Sequence, residues 1–174
     1  MEGYRAISDE DKTWVSTKVD LIGLAIGAFL ALAMNFTMLN SVLLPTDNMK
    51  FLYIPCMFLT GVGAEYFGCA LVSGSFKALF FEGMCMGVIP TATIQGMAYW
   101  PPLVAIIWAV HPLIDILHHP AYFQGLAQTL GVVKLHPRMS WYCAACASFD
   151  IVQALLVQYV YLSMHPDLNL VPAA

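Results

Sequence analysis

Charge is what this chain lacks most: 7 Lys and Arg and 11 Asp and Glu among 174 residues, or 10% of the sequence. With 60% apolar residues and a mean hydropathy of +0.72, that shortage excludes an ordinary water-soluble domain. A net charge of −4 without a basic stripe excludes phosphate-backbone recognition, so nucleic acid is not an expected partner. Of the five histidines only His111 is expected at mid-depth in a span, with His136 and His165 in loop or tail. That argues against membrane oxygenases, which need several histidine clusters, and against a bis-histidine haem, which needs two histidines at one depth. The sequence has no internal repeat, no low-complexity tract and no linker able to separate domains. The paired symmetry of many secondary transporters is therefore missing.

Long apolar runs are abundant. About 20 residues of helix cross 30 Å of hydrocarbon, and five segments qualify or nearly so: Leu21–Leu44, Phe51–Val72, Ala78–Tyr99, Pro102–Leu117 and Trp141–Met164. The fourth is short and follows Trp100-Pro101-Pro102, so it is either a crossing or a re-entrant segment. With five crossings, Arg5, Lys12, Lys18, Lys77, Lys134 and Arg138 fall on one side and only Lys50 on the other. With four, that bias disappears, so the positive-inside rule favours five, with the N-terminus inside. The expected fold is thus an all-α integral membrane protein of about five transmembrane helices, with four plus a re-entrant segment as the alternative. Residues 1–20 form an inside-facing tail, 21–164 the bundle and 165–174 a short C-terminal tail. Within the first segment, Ser8 and Asp11 resemble a capping box, and Trp14, Val15 and Val19 share a face, which predicts a short interfacial helix. The segment lacks the pattern of a cleavable signal.

Helices in lipid associate through small residues spaced by four. Gly23, Gly27 and Ala31, followed by Asn35, form such a stripe on the first span, and Gly83 with Gly87 forms another on the third. Pro90 is expected to bend that third span.

Ionisable residues inside spans are costly unless paired or hydrated, and each is a candidate for function. Asp150 lies about 14 Å along the last span by helical rise, near the midplane. Cys143, Cys146, Gln153 and Tyr161 share its face. It serves either as a structural contact to another helix or as a proton or cation site. Glu65 in span two and His111 in span four are the other deep candidates, and the three are expected to meet in a bundle. Glu82, Asp115, His118 and His119 are expected at the inner interface, within reach of water. The run from His111 to His119 has the helical spacing of metal ligands, but the expectation is that no metal or other cofactor is required beyond bound lipid. Cys143-x-x-Cys146 lacks the second, loop-borne cysteine pair of membrane thiol oxidoreductases and is read as packing. Lys134 and Arg138, in the polar stretch from His118 to Ser140, are the candidates for lipid headgroups.

These features favour a non-catalytic accessory subunit of a larger energy-transducing membrane assembly, such as a respiratory-chain complex of the mitochondrial inner membrane. Its partners are lipids and other membrane subunits or copies of itself. A small channel or proton- or cation-coupled transporter using Glu65 and Asp150 is the alternative. A membrane enzyme acting on a lipid or quinone-like substrate through Glu82, Asp115, His118 and His119 is the third reading.

Overall fold

A computed structural model describes residues 15–42 and 50–165. The expected interfacial helix, the polar link before Lys50 and the C-terminal tail beyond His165 lie outside the described residues. Within them the chain is helical, with no strand. The helices are α1 (Thr17–Val42), α2 (Lys50–Ser73), α3 (Phe76–Tyr99), α4 (Pro102–His118), the short α5 (Gln124–Leu130) and α6 (Ser140–Met164), the last preceded by a 3-10 turn at Pro137–Met139.

Four of these, α1, α2, α3 and α6, are long and apolar enough to cross a membrane. The fourth expected crossing, α4, is apolar but only 17 residues long, about 25 Å by helical rise. Its ends are set by local chemistry. Pro102 occupies the first turn, where a missing N–H costs nothing. At the other end Pro120 follows His119, whose backbone is extended and whose N–H closes the last turn on Asp115 and Ile116. Pro90 and Pro112 both lie within continuous helix. Each removes one rung of the backbone ladder without ending its helix.

The helices alternate in direction. Gly74, with positive φ, turns α2 into α3, and Ser75 caps α3 by accepting the Ala78 N–H. α3 and α4 form a second hairpin, in which Val104 packs on Gly96 at one end while His118 meets Glu82 at the other. α6 runs antiparallel to α4 and parallel to α1. Gly23 lies against Trp141, Gly27 against Ala145 and Asn35 against Gln153, a constant offset of 118 residues along both helices.

Among the described glycines, those of the α1–α6 seam meet the closest neighbours. A Cβ on Gly23 would overlap the Trp141 carbonyl, and one on Gly27 would overlap the Ala145 carbonyl and the Ser148 hydroxyl. Ala31 is fully buried, and the Asn35 and Gln153 amides bond to each other in both directions. Ser148 Oγ donates to the Leu24 carbonyl across the same seam. The α3 stripe is different: a Cβ on Gly87 would meet nothing within 4 Å, and one on Gly83 only the edge of Phe67 at 3.7 Å. Gly83 and Gly87 line an open groove on the outside of α3 rather than a seam within the chain.

The apolar core lies toward the end of the bundle away from α5. There Trp108, Val104, Leu59, Val157 and Ile89 pack between α2, α3, α4 and α6. At the opposite end, α5 and the 3-10 turn lie across the bundle. Gly131, with φ +83°, ends α5 against Lys77, leaving no room for a side chain. The contrast between the two glycine stripes gives a direct test. Gly27→Val should lower unfolding free energy in a mixed-micelle titration by about 1–3 kcal/mol through overpacking, whereas Gly87→Ala should be neutral or gain up to about 1 kcal/mol of helix propensity. Equal effects at the two positions would contradict the seam.

Candidate functional site

The face of α4 that looks into the bundle carries His111, Asp115 and His118, at spacings of four and three residues that stack side chains on one side of a helix. Each reaches a different neighbour. His111 Nδ1 lies 2.7 Å from Asp150 Oδ2 on α6. Asp115 Oδ1 accepts the Tyr66 hydroxyl of α2 at 2.8 Å. His118 Nε2 lies 3.2 Å from Glu82 Oε1 on α3, without aligned hydrogen-bond geometry. The Tyr66 ring also stacks on the His118 imidazole, with centroids 3.8 Å apart and planes within 2°. None of these six residues is more than 2% exposed.

Both histidines have one ring nitrogen anchored and the other unused. The His118 Nδ1–H donates to the Val133 carbonyl at 2.6 Å, which leaves Nε2 facing Glu82 Oε1. His111 Nδ1 is held by Asp150, and its Nε2 has no partner. Asp115 Oδ2 and Glu82 Oε1 are likewise buried without a hydrogen-bond partner. Native interiors seldom leave buried polar atoms unsatisfied, so four of them in one cluster of titratable groups make this the candidate site of the chain.

The placement differs from the sequence expectation in three respects. Glu82, Asp115, His118 and His119 are not at a wet interface but are fully buried, because the segment from His119 to Met139 folds back over that end of the bundle. Glu65 does not join Asp150 and His111. It is exposed on the outer side of α2, where the Tyr142 hydroxyl bonds to it. Helical geometry explains the swap, since the inward position falls one residue later, on Tyr66. Lys134 is not offered to lipid headgroups: its Nζ donates to the carbonyls of Leu117, His119 and Tyr122. It thereby caps the C-terminal end of α4, and burial holds its pKa below the ordinary lysine value. Arg138 is exposed in the 3-10 turn.

Tyr66 is the participant that sequence reasoning missed. Its one signal was its position beside Glu65, four residues from the Ala70 that packs on the same face. Cys143 and Cys146 are free thiols on α6, the first buried and the second half-buried.

His119 belongs to a separate, outer cluster. Its Nε2–H donates to Asp20 Oδ1 at 3.3 Å and its Nδ1 accepts the Ala121 N–H at 3.2 Å, while Tyr122 stacks on the ring and donates to the other Asp20 oxygen. This contact ties the first turn of α1 to the connection after α4.

A cleft of about 270 Å³ opens between α1, α2 and α6. Its walls include Ile26, Leu30, Phe58 and Phe149, and it reaches as far in as Asp150. Its walls are almost wholly apolar.

Compared with known protein families, with curated proteins and with solved structures, the chain matches none.

The outer cluster makes a pH prediction. Burial lowers the pKa of His119 below its ordinary 6.5, and protonating Nδ1 would set its proton against the Ala121 N–H. The unfolded chain therefore takes up the proton first, and the stability this contact contributes is present above about pH 6.5 and lost as pH falls. Exchange protection of the Ala121 amide, corrected for its intrinsic rate, should fall between pH 7 and pH 5. Unchanged protection would show that His119 stays neutral or is not bonded there.

Proposed function

We propose that the protein is a membrane-embedded enzyme that acts on a lipid-like substrate, with His118 and Glu82 as its acid–base pair. The observation that carries this reading is the burial of unpartnered Glu82 Oε1 and His118 Nε2, 3.2 Å apart, in one cluster with His111, Asp115 and Asp150. Acid–base catalysis needs a titratable pair within hydrogen-bond reach of one substrate position, with orientation fixed beforehand. The Val133 carbonyl and the stacked Tyr66 ring supply that orientation for His118. The apolar cleft ending at Asp150 supports an apolar substrate arriving from the side. A transported ion would need polar groups along its route, and the cleft walls supply hydrocarbon.

In this reading α4 is a fifth crossing. Lys18, Lys77, Lys134 and Arg138 all belong to the end of the bundle that carries α5, whereas Lys50 starts α2 at the other. That asymmetry supports an orientation with the α5 end on the positive, cytoplasm-like side. The large apolar residues exposed along the helices, among them Phe29, Phe36, Val88 and Leu155, face lipid.

Reconstitution tests the proposal. The purified chain in vesicles of total membrane lipid should deplete one lipid class over time, and His118→Gln and Glu82→Gln, recovered folded in equal amount, should each slow that change by about 100-fold or more. A lipid profile identical to that of empty vesicles sinks the enzymatic reading.

One observation favours membership of a larger assembly as a second reading. The Gly83–Gly87 groove of α3 has no partner helix within the described residues, and small residues in that register admit close approach of another helix. Native mass spectrometry from mild detergent should then record a complex heavier than the 19.1 kDa chain that Gly87→Leu dissociates. A monomer under those conditions excludes it.

A further inference from the structure

His111, Asp115 and Asp150 do something that pairing alone does not account for. Each offers a ligand atom, and the three atoms lie within 4.8 Å of one another. Atoms bound to a single ion at about 2.0–2.2 Å stand roughly 3–4.4 Å apart, close to the spread of these three. All three residues are at most 1% exposed. Asp115 Oδ2 is the informative atom. It has no hydrogen-bond partner and lies 3.8 Å from His111 Nδ1, while its sister oxygen is held by the Tyr66 hydroxyl. Two carboxylates converge there on one imidazole, which carries at most one positive charge. In a low-dielectric interior that excess negative charge is offset either by a proton shared between the carboxylates or by a cation held among the three, with the imidazole then neutral.

We propose that His111, Asp115 and Asp150 form a binding site for one divalent first-row transition ion, namely zinc, iron(II) or manganese. One imidazole nitrogen with two carboxylate oxygens suits these ions. It is too hard a set for copper(I), and the nitrogen disfavours magnesium and calcium. Tyr66 is a positioning residue: its hydroxyl on Asp115 Oδ1 aims Oδ2 into the site, as outer partners of metal ligands do. Three protein ligands leave at least one position open, the arrangement of catalytic rather than structural sites. Asp150 also forms part of the wall of the lateral cleft, which places the three residues beside the route a lipid would take. The site stands whether or not the protein turns over lipid, because metal occupancy is read without a substrate.

The test uses the full chain in detergent micelles, without a polyhistidine tag, stripped with chelator and dialysed against Zn2+, Mn2+ or Co2+. About one ion per chain is expected. Asp115→Asn and Asp150→Asn should each weaken binding at least tenfold, whereas Glu82→Gln should stay within twofold of wild type. Pulsed electron paramagnetic resonance of the Mn2+ form should record one coupled imidazole nitrogen, lost in His111→Gln. The wild-type spectrum needs no variant, so a substitution that prevents folding leaves the question decidable. Occupancy no higher than a protein-free control, an ion coupled to no imidazole, or binding that survives both aspartate substitutions overturns the proposal. Bound metal without any lipid product sinks the enzymatic reading alone, and lipid turnover by protein whose metal occupancy never exceeds the protein-free control sinks the metal site alone.

Discussion

Everything at the centre of this bundle depends on the cost of holding titratable groups among apolar helices. A carboxylate or imidazolium removed from water loses several kcal/mol of solvation unless another polar group replaces it. In this chain the replacements come from other helices. α4 contributes three such residues on one face, and each is answered by a different neighbour: His111 by Asp150 of α6, Asp115 by Tyr66 of α2, His118 by Glu82 of α3. The polar contacts therefore do more than satisfy one another. They set the rotation of α4 and the height at which three other helices pack around it. A rotation of α4 by one residue, about 100°, would break all three contacts together.

The α1–α6 seam follows a different rule. It rests on the close approach permitted by Gly23 and Gly27, continued by Ala31 and closed by the Asn35–Gln153 amide pair. No titratable group takes part. Dispersion between closely packed backbones holds two parallel helices, and a few neutral hydrogen bonds fix their register. This division of labour leaves one face of α6 for the wall and the next for the chemistry. Asp150 and Gln153, three residues apart, look respectively into the cluster and into the seam.

The far end of the cluster is closed by the connection between α4 and α6. Lys134 spends its ammonium on three carbonyls at the end of α4, and Val133 offers its own carbonyl to His118. A stretch that looks like a polar surface loop is thus a cover whose backbone completes the site. His119, Asp20 and Tyr122 fasten that cover to the start of α1.

Composition and run length by themselves determined that the chain is all-helical and apolar enough for a membrane, because those properties depend on local hydropathy and on the rise per residue alone. The helix boundary at Pro102, the small-residue stripe of α1 and the presence of Asp150 and His111 in apolar surroundings were legible for the same reason. What only the tertiary structure decided is which groups meet. Hydropathy places a residue along a span to within a turn but does not say which way it points. One position of rotation separates exposed Glu65 from buried Tyr66. Depth along a helix likewise says nothing about what a connecting segment covers, and so Glu82, Asp115 and His118 are buried where span ends alone suggest water. The contact between His111 and Asp150, separated by 39 residues, and that between Tyr66 and Asp115, separated by 49, exist only because three helices pack around one face of α4.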